Sequence, residues 1–144
     1  MTKSDTEIIS LAEALATRVH ADQADKASEP YIGHPRRVAA KLESPEAKTI
    51  AWLHDVLEDT DVSEAELREG FPDEVVDAVV ALTKVADEPM EEYYARVRAN
   101  PLARQVKHAD IHDNLDPQRM ALLDETTFQR FAAKYGKAIV EILS

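Results

Sequence analysis

The sequence predicts an all-α fold, a single helical domain over residues 1–144. Apolar residues recur at helical spacing nearly throughout, and no stretch alternates apolar and polar positions as a half-buried strand does. Only three glycines interrupt the pattern. The length matches the commonest size of one domain and is enough to bury a sizeable core.

The elements follow in chain order. Ser4 with Glu7 three residues later is a capping-box signature, after which Ile8, Leu11, Ala12, Leu15, Ala16 and Val19 run along one helical face up to His20. Residues 24–33, ADKASEPYIG, break that period with Pro30 and Gly33 and read as a loop. His34-Pro35 opens a short helix, RRVAAKL. Ser44 as N-cap and Pro45 at the first helical position start the next one, which the period carries through AWLHDVLEDT, residues 51–60. Ser63 and Glu66 form a second capping box for a short helix ending at Gly70, and Pro72 starts DEVVDAVVALTK. Beyond a loop at 84–89, Tyr93 and Tyr94 stand at helical spacing, which places one of them in the core. Asn100-Pro101 begins LARQVKHADIHDNL, and Pro117 ends it. A last helix around 126–143 carries Phe128, Phe131, Ala132, Tyr135, Ile139 and Ile142 on one face.

Composition narrows the chemistry. The chain has no cysteine, which excludes a disulfide framework and a thiolate zinc site and leaves His and carboxylates as the strong metal ligands. A net charge of −11 argues against nucleic acid and anionic membrane as partners. An anionic ligand then needs a local cationic pocket or a bound metal. No apolar run approaches the roughly 20 residues of a membrane span, and MTKSDTEIIS lacks the apolar core of a signal peptide. A cytoplasmic location is expected, with self-association left open.

The chemistry concentrates in two segments. On one continuous helix His54 would stack above Glu58, and Asp55 above Asp59. A solvated charged face is the bland reading, but Trp52, Leu53, Val56 and Leu57 leave that helix little polar surface. In VKHADIHDNL, Asp110 and Asn114 are again four apart, with Lys107 three residues before Asp110. His34, in YIGHP, is ambiguous alone. Together His34, His54, Asp55 and Asp110 make a set suited to manganese, iron or zinc with positions left for water. Glu58 and Asp59 are placed to hold or deprotonate that water.

These segments resemble HD-domain phosphohydrolases of the RelA/SpoT type, in particular stand-alone small alarmone hydrolases. The matching stretches are QADKASEPYIGHP at 23–35, LHDVLEDT at 53–60, LTK at 82–84 and VKHADIHDN at 106–114, in the family order. The resemblance implies an HD-domain phosphohydrolase fold, a Mn²⁺ ion, and hydrolysis of the 3′-pyrophosphate of (p)ppGpp to GDP or GTP. By position it implies His34, His54, Asp55 and Asp110 as metal ligands and Glu58 and Asp59 as the water-handling pair. Asn114 and Lys26 match positions that meet the nucleotide, and Lys107 and Asp25 complete the expected substrate side. With no synthetase segment after Ser144, the chain is expected only to degrade.

Two departures stand out. Where the family commonly has arginine before lysine, stacked on the base, this chain has Asp25-Lys26, and an aspartate cannot stack as a guanidinium does. Asp25 is expected to accept hydrogen bonds from guanine or to face solvent, and base discrimination is expected to relax to within about tenfold. Ser28 replaces the family's common glycine, so another loop path is expected. Competing readings are an HD phosphohydrolase of ppApp or NADPH, and an alarmone-binding module without catalysis. Arg36, Arg37, Lys84, Arg96, Arg98 and Arg104 are candidate pyrophosphate clamps; His20, His108 and His112 are candidates for supporting the ligands.

Overall fold

A computed structural model describes residues 3–143, and the side chains of residues 3–142. Among the described residues it contains ten helices and no strand, with one isolated bridge between Ala24 and Pro30. The all-α expectation is met. In order the helices are α1 (Asp5–Val19), α2 (Gly33–Ala40), α3 (Pro45–Leu53), α4 (Val56–Asp59) and α5 (Glu64–Gly70). Then come α6 (Asp73–Leu82), α7 (Met90–Ala99), α8 (Pro101–Asn114), α9 (Pro117–Met120) and α10 (Glu125–Leu143).

The caps read from the sequence start these helices. Ser4 Oγ accepts the Glu7 N–H at 3.2 Å, Ser44 Oγ the Ala47 N–H at 3.1 Å, Ser63 Oγ the Glu66 N–H at 3.2 Å and Asn100 Oδ1 the Ala103 N–H at 3.0 Å. Each satisfies one of the amide donors that a helix start leaves without a partner. The buried stripe of α1 is rotated from the expected one. Ala12 and Ala16 are fully buried with Ile9 packed beside them, whereas Leu11 is 42% exposed.

One correction matters for the site. The helix from Pro45 does not run on to residue 60; α3 stops at Leu53, and α4 resumes at Val56. His54 Nδ1 donates to the Ala51 carbonyl at 2.6 Å, in the neighbourhood where an unbroken helix would receive the Asp55 N–H. Asp55 sits at φ −106°, ψ 1°, between helical and extended backbone. The simple stacking of His54 over Glu58 and Asp55 over Asp59 is thereby lost.

Helices α3 and α8 form the centre. The first packs on α1, α2, α6 and α8, and the second also meets α7 and α10. Ile50, Leu53, Val56, Val106 and Ile111 are completely buried there. Each such side chain is worth about 1.5–3 kcal/mol of burial, so the backbone that carries His54 and Asp110 is anchored from beneath. Both Tyr93 and Tyr94 are buried, where one was expected, and Tyr93 Oη donates to the Leu82 carbonyl at 3.1 Å. No helix among the described residues is long and apolar enough to cross a membrane.

Candidate functional site

His34 enters from the first turn of α2, His54 from the break after α3 and Asp110 from the last turns of α8. One ligating atom from each lies within 4.8 Å of the others, and all are buried. His34 Nδ1 donates to Asp113 Oδ2 at 2.6 Å, which aims Nε2 at Asp110 Oδ1, 2.7 Å away. Burial of the ring opposes its charge, but the two carboxylates outweigh burial and hold His34 above its ordinary pKa. Asp113 is itself 1% exposed at its side chain and also receives Arg37 Nε at 2.8 Å. Gly33 opens the way for that arginine, since a Cβ there would stand 2.8 Å from Arg37 Nη1.

His54 supplies the test of whether these residues suit a metal. A carbonyl oxygen only accepts, so the bond to Ala51 places the proton of the neutral ring on Nδ1 and the lone pair on Nε2. That Nε2 is buried without a hydrogen-bond partner, 3.3 Å from both Asp55 Oδ2 and Asp110 Oδ1. A lone pair facing two carboxylates is repulsive, and a cation between them turns every one of these contacts favourable. The carboxylates carry the same strain. Burial, and then the negative charges of Asp110 and Asp59, push the Asp55 carboxyl well above its usual range. For Asp110 burial pulls in the same direction, but Lys107 and His34 overcome it and hold the carboxyl well below. The donor set of two imidazoles and oxygen ligands fits a first-row divalent ion.

His34, Asp55 and Asp110 line a cleft of about 500 Å³, and His54 meets it through the two carboxylates. Glu58 and Asp59 line it, each tied by one oxygen: Glu58 Oε1 accepts the Lys84 N–H at 2.9 Å, and Asp59 Oδ2 accepts Gln23 Nε2 at 3.3 Å. Asp25, Lys26, Lys107 and Asn114, the four residues expected on the substrate side, also line the cleft. Lys107 Nζ donates to Asp110 Oδ2 at 3.1 Å and Asn114 Nδ2 to Asp110 Oδ1 at 3.3 Å, so both help orient that carboxylate. None of the candidate clamps lines the cleft. Arg96 bonds the Ala81 and Thr83 carbonyls and Glu88, closing the end of α6, and Arg98 donates to the Glu141 carbonyl at 2.8 Å.

Asp25 corrects the reading of the departure. Its side chain is 8% exposed and so does not face solvent, and it lines the cleft with both oxygens engaged by neighbouring groups. Oδ1 accepts the Ala27 and Glu29 N–H groups at 2.8 and 3.0 Å, and Oδ2 holds Arg119 Nη2 at 2.9 Å. The expected change of loop path at Ser28 is also set aside, because Ser28 adopts φ 66°, the left-handed region that a glycine would enter freely.

Reasoning from sequence missed several cleft residues. Arg119, from α9, lines the cleft and bridges Asp25 to Asp113, its Nη1 meeting Asp113 Oδ2 at 3.0 Å. Asp113 lies inside the VKHADIHDN stretch, three residues after Asp110 on the same helix, and that spacing was its signal. From α10, Phe131, Lys134 and Tyr135 form a wall of the cleft, where the sequence had only placed the two aromatics on one helical face. Burial and the neighbouring Lys107 charge push the Lys134 ammonium below its ordinary range.

A family model described as "HD domain" matches residues 12–123. The guanosine-3′,5′-bis(diphosphate) 3′-pyrophosphohydrolase of Aquifex aeolicus (strain VF5) is 35% identical over 119 residues, 76% of this chain and 17% of that protein. The GTP pyrophosphokinase of Myxococcus xanthus is 40% identical over 86 residues, 57% of this chain and 11% of the relative. The chain thus spans less than a fifth of the length of these curated relatives. Among solved structures, a metazoan ortholog of SpoT, described as hydrolyzing ppGpp and playing a role in starvation responses, superposes with a TM-score of 0.80. That match is 21% identical and covers 99% of this chain and 88% of the other, which speaks for a shared fold.

Proposed function

The chain belongs to the HD domain family, and on that premise we propose that it hydrolyses the 3′-pyrophosphate of ppGpp or pppGpp, giving GDP or GTP and pyrophosphate, with Mn²⁺ as the metal. The observation that carries this reading is the partnerless Nε2 of His54, buried against two carboxylates that line a cleft also presenting Lys26, Lys107, Arg119 and Lys134. His34, His54, Asp55 and Asp110 would hold the ion. When bound, such an ion acidifies a water molecule and polarises a phosphoryl oxygen.

The chain's own residues do the rest. Asp113 and the Ala51 carbonyl each take the Nδ1 proton of one imidazole, which keeps both Nε2 atoms turned inward. Glu58 and Asp59 orient the attacking water and one of the two takes its proton, and their tethers to Lys84 and Gln23 hold them at the cleft wall. A polyanion is favoured where cations crowd one another, and Lys134 beside Lys107 is such a place. The Arg119 guanidinium, held by Asp25 and Asp113 at the cleft, would offer its face to the base. Stacking by Arg119 would serve where residue 25 cannot.

The test is a substrate panel of ppGpp, pppGpp, ppApp and NADPH with Mn²⁺, products resolved by chromatography. Release of pyrophosphate from the guanine alarmones supports the reading. Turnover of NADPH alone would replace it with the other phosphohydrolase reading, and binding without turnover would favour a non-catalytic module.

A further inference from the structure

Outside the cleft, His108 and His112 stand one helical turn apart on α8, with ring centroids 4.4 Å apart and planes tilted by 53°. They line a separate cavity of about 500 Å³ together with Lys41, Glu43 and Gln105. We propose that this pair is a second metal site, for a borderline-soft divalent ion of the Zn²⁺ class. Imidazoles four residues apart on a helix present their nitrogens to one point beside it. Two rings sharing an ion through Zn–N bonds of about 2.0–2.1 Å have centroids roughly 5 Å apart, so the observed pair needs only a small side-chain rotation. His108 is half-buried and His112 exposed, which leaves the rings that freedom.

Charges of both signs surround the pair, with Lys41 and Glu43 in the lining and Arg104 acting on His108, so the two imidazoles themselves make the case for a cation. Lys41 shares the cavity, but its Nζ is drawn to Asp113 Oδ1, 3.7 Å away. Glu43 adds a carboxylate to the same lining, and the chain as a whole carries −11. Two imidazoles favour zinc over manganese in the usual order of divalent affinities, so this site and the cleft differ in preferred ion. Glu43 lies just beyond α2, the helix that bears His34, and Asp110 lies between the two histidines along α8.

The chain's own histidines make the test clean. Of its five, His20, His34 and His54 are at most 4% exposed and cannot reach an ion fixed to a solid support. Untagged protein should be retained on a Zn²⁺-loaded iminodiacetate matrix at pH 7.5 and eluted by imidazole, and the His108→Gln/His112→Gln variant should flow through. In solution, calorimetric titration with Zn²⁺ should show one site fewer in that variant, while its manganese-supported turnover and circular dichroism stay at the wild-type level. Flow-through of the wild type, equal retention of the variant, or equal zinc stoichiometry overturns the proposal. So does a shift of the His108 and His112 ring resonances on adding inorganic phosphate with none on adding Zn²⁺, which would make the cavity an anion site.

Discussion

Asp113→Asn is the substitution in which structure and chemistry meet most sharply. The side chain is 1% exposed and takes His34 Nδ1 at 2.6 Å, Arg37 Nε at 2.8 Å and Arg119 Nη1 at 3.0 Å. An amide keeps the shape, but it removes the charge and turns one oxygen into a donor facing donors. Breaking one side of a buried charged network costs about 3–5 kcal/mol, and losing the group that orients a ligating histidine lowers metal affinity about 10–100-fold. Urea unfolding followed by circular dichroism gives the first quantity from the midpoint, provided the slope is unchanged. Manganese titration gives the second. Acid adds an independent check. Burial would raise the Asp113 carboxyl, but the hydrogen bonds from His34 and Arg37 hold it at about 2, against an ordinary 3.8. A depressed carboxyl contributes stability that is full above pH 3.8 and is lost as pH falls through about 2, a difference of about 2 kcal/mol. The variant should lack that acid limb. A loss of stability under about 1 kcal/mol together with manganese affinity within twofold of wild type would refute the reasoning, since neither the buried network nor the histidine would then depend on the charge.

Three further outcomes are expected. Ser28→Gly should raise stability by about 1 kcal/mol, because Ser28 holds φ 66° at a cost that glycine does not bear; an unchanged melting temperature would place that cost elsewhere. Asp25→Arg, which the family pattern alone would favour, should instead raise KM for ppGpp at least several-fold, because it removes the acceptor of Ala27, Glu29 and Arg119 and sets two arginines together. A lowered KM would show that Asp25 is dispensable to the loop. Glu58→Gln and Asp59→Asn should bind manganese and nucleotide normally while turnover falls about 10²-fold or more, and near-normal turnover in both would remove them from the chemistry.

Local signals made much of this molecule legible. Ser4, Ser44, Ser63 and Asn100 announced their helices because a cap is chemistry within three residues of the chain. His34, His54 and Asp110 were legible as ligand types in motifs, and the fold brings them together from three segments. The break after Leu53 was not, because it depends on a side-chain bond from His54 to Ala51 that competes with a periodicity favouring helix on both sides. Nor was the partnership of Asp25 with Arg119, residues 94 apart in sequence. An aspartate that looks like a lost arginine becomes the holder of another one. The aromatics of α10 show the same limit, since a period reports which face is apolar and not whether a core or a ligand covers it.

The most direct test of the central claim is hydrolysis of ppGpp by the purified, metal-stripped protein with and without added Mn²⁺, the products separated by anion exchange. GDP and pyrophosphate should form in equal amounts with manganese, cease on chelation and return when the ion is restored. Intact ppGpp under saturating manganese, or stepwise release of orthophosphate in place of pyrophosphate, would contradict that claim.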